Sequence, residues 1–482
     1  MQDTKKFYIN GAWVDPIDGT DLDVINPSTE EVCATISLGG KADAEAAIAA
    51  AKEAFKTWAW SSKEERLALM EKILEVYMAR SDEMGETISR EMGAPIAMSK
   101  TAQSGTGSAH IKTFIRTLQN FEFERDLREN TPNDKIIYEP IGVCGLITPW
   151  NWPMNQIALK VMPAIATGCT MILKPSEMSP LSGMLFADIL HEAGVPAGVF
   201  NLVNGDGPGV GTTLSGHKDV DMISFTGSTR AGSAITKNAA DTVKRVSLEL
   251  GGKGANLVFA DAPEDAVKNG VMRCFNNTGQ SCNAPTRMLV ERSRYDEAVE
   301  QAKEQAEKTT VDLASKEGRH IGPLVSEMQF EKVQTLIEAG IKEDKARLVA
   351  GGLGRPEGLN RGYFVRPTVF ADCHNDMRIM REEIFGPVIS LMPFDSEEEA
   401  IEIANDTDYG LTNYVQTSDG EKANRVARKL RSGMVDMNGQ ARSAGAPFGG
   451  FKQSGNGREG GHWGMDEFLE VKAIGGWFPD AP

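Results

Sequence analysis

The stretch "DMISFTGSTRAG", residues 221–232, passes from apolar residues to small polar residues and then to a helical pattern. Its first half predicts a buried strand, because short apolar runs bounded by turn residues are typical of strands inside a sheet. A helix is predicted from about Thr229, which makes Gly227 and Ser228 the turn between strand and helix. Free N–H groups at a helix start bind phosphate, but an ordinary strand-to-helix turn has the same composition. Both interpretations stay open for this stretch alone.

The same alternation of strand and helix repeats on both sides of this turn. Short apolar runs between residues 142 and 250 are separated by segments with apolar residues at helical spacing. Alternation at this spacing predicts a doubly wound α/β domain, in which helices cover both faces of a parallel sheet. The predicted strands are "GVCGLIT" (142–148), "CTMILK" (169–174), "VFNLV" (199–203), "DMISF" (221–225) and "RVSLEL" (245–250).

The alternation resumes after residue 250, from "NLVFA" (256–260) to "GMVDMN" (433–438), and predicts a second α/β domain. Two segments fit neither domain. "NTPNDKIIYEPIG" (130–142) predicts an exposed hairpin, and "FLEVKAIGGWF" (468–478) predicts a terminal strand. Exposed apolar strands at domain margins often pair with another subunit. Near the start, the apolar spacing of residues 62–93 predicts one long surface helix.

The composition is typical of a globular protein of two or three domains. Of the 482 residues, 41% are hydrophobic and 25% are charged, and the formal net charge is −17. A negative charge disfavours nucleic acid and anionic membranes as partners. The N-terminus lacks the apolar core of a secretory signal, and no apolar run approaches the roughly 20 residues of a membrane span.

Cysteine and histidine usage points to free thiols and to no metal site. The six cysteines are scattered without a CxxC pair, which favours free thiols in a reducing cytoplasm over disulfides or a zinc cluster. The six histidines show no metal-ligand spacing such as HExxH. We therefore expect a cytoplasmic protein without a bound metal.

Two further loops carry polar residues just beyond predicted strands. In "ILKPSE" (172–177), Lys174 and Glu177 follow a strand end, where open α/β sheets bind ligands. An acidic residue there accepts hydrogen bonds from ribose hydroxyls and repels a 2′-phosphate. In "LITPWNWPMNQ" (146–156), prolines enclose Asn151, whose amide would donate to a developing oxyanion. Solvated loop charges and a loop-capping asparagine are the alternatives.

One cysteine lies among small and polar residues. In "NNTGQSCNAPTR" (276–287), Cys282 has no hydrophobic neighbours, so the residues around it leave room for a ligand. "SLELGGKGAN" (247–256) places Glu249 at a strand end, 33 residues before Cys282 (282 − 249). A thiol and a carboxylate in one site suit nucleophilic catalysis with a general base. A salt-bridged glutamate is the alternative.

The order of these motifs resembles the aldehyde dehydrogenase superfamily, of the NAD(P)-dependent, non-acylating type, over nearly the full length. The glutamate and cysteine signatures together are the most specific part of the resemblance. The matching motifs are "TPWNWP", "KPSE", "FTGST", "LELGGK", "GQSCNA", "EEIFGPV" (382–388) and "PFGGFKQSGNGRE" (447–459).

The resemblance implies a fold of two doubly wound α/β domains, one Rossmann-like and NAD-binding and the other catalytic, plus a small β oligomerisation element. The NAD-binding domain is expected at 1–121 and 142–250, and the catalytic domain at 251–460. The oligomerisation element is expected at 122–141 and 461–482, in a homodimer or homotetramer.

The resemblance also implies a mechanism. Cys282 is expected to be the nucleophile and Glu249 the general base, with Asn151 and the backbone N–H of Cys282 as the oxyanion hole. An aldehyde would then be oxidised to a carboxylic acid through a thiohemiacetal and a thioester, which Glu249-activated water hydrolyses.

The cofactor implied by the resemblance is NAD. Glu177 favours NAD over NADP, although NADP stays an alternative. The residues expected to bind the cofactor are Thr148, Trp150, Lys174, Glu177, Gly227, Ser228, Leu250, Glu383 and Phe385.

The residues expected to contact the aldehyde are Trp152, Met154, Arg442 and Phe448. Aromatic walls suit an apolar or aromatic aldehyde, whereas an inward-pointing Arg442 suits a carboxylated semialdehyde. The sequence leaves this choice open.

Two other functions fit the same scaffold. A CoA-acylating dehydrogenase would transfer the acyl group to CoA, but such enzymes tend to lack the glutamate base that is present here as Glu249. A catalytically silent structural or binding protein normally loses the nucleophile, the base or the oxyanion donor. Cys282, Glu249 and Asn151 are all retained, so aldehyde oxidation is favoured.

Overall fold

The computed structural model describes residues 3–478, so residues 479–482 of the predicted oligomerisation element lie outside the described residues. Within that range the strands form two seven-stranded sheets, one three-stranded sheet and one two-stranded sheet. The strands are β1 (Phe7–Ile9), β2 (Ala12–Val14), β3 (Thr20–Asn26), β4 (Glu31–Leu38), β5 (Glu124–Asp126), β6 (Asp134–Pro140), β7 (Val143–Ile147), β8 (Thr170–Lys174), β9 (Phe200–Leu202), β10 (Met222–Thr226), β11 (Arg245–Glu249), β12 (Ala255–Val258), β13 (Arg287–Glu291), β14 (Arg347–Ala350), β15 (Thr368–Ala371), β16 (Val388–Phe394), β17 (Thr412–Gln416), β18 (Met434–Met437) and β19 (Leu469–Gly475).

Helices cover the large sheets and connect their strands. The α-helices are α1 (Lys41–Trp58), α2 (Lys63–Ala79), α3 (Ser81–Met92), α4 (Ile96–Met98), α5 (Ser104–Gln119), α6 (Pro153–Thr167), α7 (Leu181–Glu192), α8 (Thr212–Gly216), α9 (Thr229–Ala239), α10 (Ala266–Phe275), α11 (Tyr295–Lys308), α12 (Glu327–Lys342), α13 (Arg378–Arg381), α14 (Glu397–Asn405), α15 (Gly420–Lys429) and α16 (Gly461–Asp466). Short π-helical segments span Ser99–Gln103 and Gly207–Gly211, and 3-10 helices span Ala240–Thr242, Asn276–Gly279, Arg292–Arg294 and Lys452–Ser454. None of the helices within residues 3–478 is long and apolar enough to cross a membrane.

The first large sheet has the order β11-β10-β7-β8-β9-β1-β2, and its five strands from β7 to β11 are parallel. The chain runs outward from β7 in one direction through β8 and β9, then returns to β10 on the other side. The strand order therefore reverses between β7 and β10, and ligands of open α/β sheets bind at such a point. Every residue of β7, β8 and β10 is buried, as expected for central strands of a parallel sheet.

The antiparallel edge of this sheet was not predicted. β1 and β2 form a hairpin that pairs with β9 through β1. Its turn is Asn10-Gly11, and both residues have positive φ, 52° and 80°. Asn-Gly between two apolar runs is a strong hairpin signal, because this turn type needs positive φ at both positions. The Asn-Gly signal is present in the sequence, but strands of only three residues are too short to show a clear alternation of apolar and polar residues.

The second large sheet has the order β14-β15-β16-β13-β12-β17-β18, with parallel pairs except between β14 and β15. The predicted α/β class with two doubly wound sheets is confirmed. Each sheet is packed against its own large hydrophobic clusters. The exact domain boundaries stay predictions.

Two details of the predicted elements are corrected. Residues 130–142 do not form a separate hairpin, because β6 is the central strand of the small sheet, between β5 and β19. The predicted helix at 62–93 is two helices, α2 and α3, which meet at Arg80. Helical spacing continues across this break, so the apolar pattern does not show it. Met84, Ile88 and Met92 of α3 are buried, whereas Asp82, Glu86 and Arg90 are exposed, so α3 packs one face on the core and exposes the other.

Candidate active site

Two cavities meet at Cys282. The first cavity is called the cleft below. It is lined by Trp150 and Asn151, which follow β7, by Gly227 and Ser228, which follow β10, and by Cys282, which lies in the loop before β13 of the second large sheet. The loops after β7 and β10 lie together because their strands are neighbours at the point of reversed order. The second cavity, called the tunnel below, has Cys282 in its wall as well.

An unusual backbone precedes Cys282. Asn277, Thr278 and Gly279 have φ of 51°, 58° and 72°, and a β-branched residue rarely adopts this left-handed conformation. A Cβ on Gly279 would lie 2.0 Å from the carbonyl oxygen of Gly386, so the position requires glycine. Thr278 Oγ1 donates to the carbonyl oxygen of Gly322 at 3.1 Å, which helps to hold the turn. Strain of this kind persists only where the surroundings impose it, and it clusters at functional sites.

Asn151 connects the two loops that carry the predicted catalytic residues. Its side-chain Nδ2 donates to the backbone carbonyl oxygen of Gln280 at 3.0 Å, and its backbone carbonyl oxygen accepts from Asn277 Nδ2 at 2.9 Å. Beside it, Trp152 Nε1 donates to Ser281 Oγ at 2.8 Å. Asn151 is buried, so its amide is held in one orientation relative to the cysteine loop. A primary amide has two N–H donors, and only one of them is used by Gln280.

Glu249 is placed differently from the expectation. It ends β11 and is 2% exposed, but it lines neither the cleft nor the tunnel. A Cβ on Gly449 would lie 2.6 Å from Glu249 Oε1, and one on Gly457 would lie 3.4 Å from it. The carboxylate therefore packs against these two glycines, and neither of its oxygens has a hydrogen-bond partner among the described residues. The structure does not show the thiol and this carboxylate facing one cavity.

Burial dominates the electrostatics of both groups. The pKa of the Glu249 carboxyl is raised well above its usual value by burial and then by Glu459, while Lys160 and Arg458 act in the opposite direction. Lys160 Nζ bonds to Glu459 Oε1 at 2.5 Å, and both side chains are buried. Burial likewise raises the pKa of the Cys282 thiol, with further contributions from Glu383 and Glu249. The Cys282 thiol is therefore neutral at pH 7 in this conformation, and burial makes Glu249 a stronger proton acceptor than an exposed carboxylate.

Most residues expected to bind the cofactor share the cleft. The ring of Trp150 meets the ring of Phe385 edge-on, with centroids 5.3 Å apart. Glu383 Oε1 accepts a hydrogen bond from the N–H of Gly252 at 2.9 Å. Six expected residues line this cavity: Trp150, Gly227, Ser228, Leu250, Glu383 and Phe385.

The other three expected cofactor residues lie outside the lining of the cleft. Lys174 Nζ is 3.5 Å from Glu177 Oε2, and this pair follows β8. Thr148 donates its N–H to the carbonyl oxygen of Lys174 at 3.1 Å, which joins the ends of β7 and β8. Burial lowers the pKa of Lys174, although Glu177 acts against this effect. The three residues form one group at the strand ends next to the cleft.

Two cleft residues on α12 were missed. Gln329 and Lys332 on α12 line the cleft, and Gln329 Nε2 donates to the carbonyl oxygen of Phe385 at 2.9 Å. Phe385 has a φ of 60°, so this bond supports an unfavourable backbone conformation. The sequence of α12 is that of an ordinary amphipathic helix, and nothing in it marks these two positions.

Three of the four expected substrate residues, Trp152, Arg442 and Phe448, line the tunnel. Met154 does not, because its side chain is fully buried in the core of the first large sheet. Asn155 and Leu159 on α6 face the tunnel instead. Positions four residues apart share one face of a helix, and Met154 lies on another face. Arg273 and Asp436 also line the tunnel and were not expected there.

A profile of the aldehyde dehydrogenase family matches residues 13–474. The chain is 51% identical over 479 residues to a 3-succinoylsemialdehyde-pyridine dehydrogenase of a Pseudomonas species, with 99% of each chain covered. It is 46% identical over 479 residues to a putative aldehyde dehydrogenase of Staphylococcus aureus strain USA300, covering 99% of this chain and 100% of that one.

Solved structures agree with these sequence matches. An aldehyde dehydrogenase of Bartonella henselae superimposes with a TM-score of 0.98 at 60% identity, covering 99% of this chain and 100% of that one. Aldehyde dehydrogenase C of Pseudomonas syringae, solved as a mutant with NAD+ and octanal, has a TM-score of 0.97 at 48% identity, covering 100% and 98%. The resemblance seen in the sequence is confirmed: this chain belongs to the aldehyde dehydrogenase family.

Proposed function

We propose that this enzyme oxidises an aldehyde to a carboxylic acid with NAD, through a covalent bond to Cys282. The observation that carries the proposal is the position of Cys282 in the walls of both the cleft and the tunnel. One cysteine thus lines two cavities, which is what a reaction between a bound cofactor and a bound substrate requires. A nucleophile that lies between two reactants also lowers the entropy cost of bringing them together.

The residues of the cleft fit a dinucleotide. A Cβ on Gly227 would lie 2.5 Å from the ring of Phe225, and one on Gly251 would lie 2.6 Å from Glu383 Oε2, so only glycine leaves these places clear. Ser228 caps α9, whose first N–H groups favour a phosphate. Trp150 and Phe385 supply aromatic surface for a flat ring. The related Pseudomonas syringae enzyme was solved with NAD+. NAD+, when bound in the cleft, accepts the hydride that leaves the substrate carbon.

The first chemical step is attack of the Cys282 sulfur on the aldehyde carbon. A carbon–sulfur bond forms, and the electron pair of the carbonyl bond moves to oxygen. We assign the stabilisation of this oxyanion to the free N–H of Asn151 Nδ2 and to the backbone N–H of Cys282. Because burial keeps the Cys282 thiol neutral, its proton passes to a solvent water molecule in the tunnel as the sulfur attacks the carbonyl carbon. Loss of hydride from the thiohemiacetal then leaves a thioester on the sulfur.

The second step is hydrolysis of the thioester. We assign Glu249 as the base that takes a proton from water, whose oxygen attacks the acyl carbon while the sulfur leaves. The carboxylate must first turn away from Gly449 and Gly457 toward the sulfur. This movement breaks no hydrogen bond of its carboxylate to the described residues. Contact with water removes the burial that raises the pKa of Glu249, so the group ionises there and can accept the proton.

The test measures NADH formation by the purified full-length enzyme with aliphatic, aromatic and carboxylated aldehydes. We expect a carboxylic acid product without CoA, and loss of turnover in Cys282→Ala. Cys33→Ala is the matched control, because Cys33 is another free cysteine and lines neither cavity. Full activity of Cys282→Ala would refute the proposal. Product formation that depends on CoA would identify an acylating dehydrogenase, and silence with every aldehyde would favour a binding protein.

We also propose that the small sheet joins subunits in a dimer or tetramer. β19 lies at an edge of this sheet, and Val471 on it is 63% exposed. Light scattering of the full chain would give the oligomeric state, and a monomer would refute this assignment. A cytoplasmic location is proposed on the basis that all six cysteines are free thiols.

A further inference from the structure

The tunnel contains more positive than negative charge. Arg273 and Arg442 line it together with Asp436, which is 2% exposed. Arg273 Nη2 bonds to Asp436 Oδ2, and Arg442 Nε lies 3.1 Å from Asp436 Oδ1. Two guanidinium groups thus share one buried carboxylate. Two positive charges minus one negative charge leave one positive charge in the wall of the tunnel.

No other described residue of the tunnel lining neutralises this charge. Asp436 is the single acidic residue among them. His110 Nε2 bonds to Asn155 Oδ1 at 2.8 Å, and burial lowers the pKa of His110, so its ring is neutral and does not change the charge of the tunnel. The Cys282 thiol is neutral because burial raises its pKa. An anionic ligand would complete the charge balance.

The two guanidinium groups also have unused hydrogen-bond donors. Each guanidinium has five N–H donors, whereas Asp436 has two oxygens. Arg442 Nε is buried beside Asp436 and Arg442 Nη1 contacts the sulfur of Met434, so the donors left for a ligand are the remaining N–H groups of the guanidinium. The side chains of Arg273 and Arg442 are 36% and 27% exposed, so both reach open space. Planar guanidinium groups bind carboxylates with two parallel hydrogen bonds.

Aromatic rings hold these groups in place. The guanidinium carbon of Arg442 lies 5.6 Å from the ring centroid of Phe448, and that of Arg273 lies 4.4 Å from the ring centroid of Tyr414. Phe448 also lines the tunnel, as do the apolar side chains of Trp152 and Leu159. The tunnel thus combines a nucleophile, apolar walls and fixed positive charge.

We propose that the preferred substrate is an aldehyde with a carboxylate at its other end, and that this carboxylate binds Arg442 with support from the charge of Arg273. The inference rests on the proposed aldehyde oxidation at Cys282 and specifies its substrate class. The apolar side chains of Trp152, Leu159 and Phe448 contact the carbon chain between the two ends. When the carboxylate binds the arginine, it positions the aldehyde carbon relative to the sulfur. Binding of the carboxylate is therefore expected to raise kcat/KM.

The first experiment compares pairs of substrates of equal length. Succinic, glutaric and adipic semialdehydes are compared with butanal, pentanal and hexanal, and kcat/KM is measured from NADH formation. We expect at least one semialdehyde to exceed its partner about 10-fold or more, the effect of one charge-assisted contact. We also expect its kcat/KM to fall as salt is added, because salt screens the attraction. Equal or better use of the plain aldehydes at every length would overturn the inference.

The second experiment changes the arginine. Arg442→Met should lower the semialdehyde-to-aldehyde ratio of kcat/KM about 10- to 100-fold, and Arg442→Lys should recover part of it, because lysine keeps the charge but not the planar fork. Arg116→Met is the matched control, since Arg116 is exposed on α5 and lines neither cavity. A Met variant that lowers both substrate series equally would assign Arg442 a structural role and overturn the inference.

A binding measurement separates the two proposals. Cys282→Ala cannot form the covalent bond, so its affinity for glutaric semialdehyde and for pentanal, measured by titration calorimetry, reports the tunnel alone. Tighter binding of the semialdehyde that disappears in Cys282→Ala/Arg442→Met supports the carboxylate site, whatever the turnover. Equal affinity for both ligands refutes the site even if aldehyde oxidation is established.

Discussion

The side-chain amide of Asn151 donates a hydrogen bond to the carbonyl oxygen of Gln280 at 3.0 Å. Asn151 follows a strand of the first large sheet, whereas Gln280 lies two residues before Cys282 in the loop that precedes β13 of the second. Together with the bond from Asn277 Nδ2 to the backbone oxygen of Asn151, this bond holds the proposed oxyanion donor relative to the proposed nucleophile. The chemistry of the site therefore depends on the relative position of two loops from different sheets.

Replacement of Asn151 by alanine should lower kcat about 100- to 1000-fold, because one oxyanion donor is lost. The reduction should appear in kcat rather than in the affinity for NAD, since the donor acts on the transition state. Steady-state kinetics with the best aldehyde checks this. A decrease below tenfold would contradict the role assigned to Asn151.

The variant Glu249→Gln should form the thioester normally and hydrolyse it slowly. Rapid mixing with aldehyde and NAD should then show a burst of NADH of about one equivalent per active site, followed by a slow phase. The unmodified enzyme is the reference under the same conditions. A slow phase as fast as that of the unmodified enzyme would show that another group activates the water.

Replacement of Glu177 by glutamine should shift cofactor preference toward NADP. The charge of Glu177 disfavours a 2′-phosphate, and the neighbouring Lys174, 3.5 Å away, becomes available to the phosphate when the carboxylate is removed. The ratio of kcat/KM for NAD to that for NADP measures the shift. An unchanged ratio would remove Glu177 from the cofactor site.

Alanine at position 279 should destabilise the protein by about 1–3 kcal/mol and reduce activity. The reason is the φ of 72° at Gly279 and the contact of 2.0 Å between an added Cβ and the carbonyl oxygen of Gly386. Gly105→Ala is the control, because Gly105 lies in α5 with no atom within 4 Å of an added Cβ. That change should leave stability equal or slightly higher. Denaturant unfolding compares the two variants, and equal stability would contradict the prediction.

Stability should depend on the protonation of Glu91. This carboxyl is buried and accepts hydrogen bonds from the N–H groups of Leu181 and Ser182 at 2.6 and 3.0 Å, and burial raises its pKa to about 7. The folded protein therefore holds a proton that the unfolded chain releases near pH 4.5. Between these values the free energy of unfolding falls as pH rises, on the order of 3 kcal/mol in total, and levels off above pH 7.

The matching measurement compares the pH dependence of unfolding in the unmodified protein and in Glu91→Gln. Glutamine keeps an oxygen acceptor but does not titrate, so the decrease between pH 4.5 and 7 should be smaller in this variant. An identical pH dependence in both proteins would show that Glu91 does not contribute.

Local pattern was sufficient for the parts of the site that follow strands. Trp150 and Asn151 come after β7, and Gly227 and Ser228 after β10, and all four line the cleft. They could be predicted because parallel strands end at the same edge of a sheet, so residues at successive strand ends lie together. The small and polar residues around Cys282 were visible in the sequence as well, but the left-handed backbone of Asn277, Thr278 and Gly279 was not predicted.

The direction in which each side chain points was harder to predict from the sequence. Met154 is only two residues from Trp152, yet it lies in the core while Trp152 lines the tunnel. The phase of α6 decides this, and the phase depends on where the helix begins. Glu249 was expected to face the sulfur, but packing against Gly449 and Gly457 directs it elsewhere in this conformation.

The amino-acid sequence by itself determined the α/β class, the family and the position of the cysteine, because these depend on local periodicity and on short contiguous motifs. Tertiary structure alone decided that Arg273 and Asp436, 163 residues apart in the chain, meet in the tunnel beside Arg442. A charged residue in the sequence does not show which distant residue it pairs with in the folded protein. The net charge of a cavity arises only when distant side chains are buried together, where the low dielectric makes each unpaired charge strong enough to select a ligand.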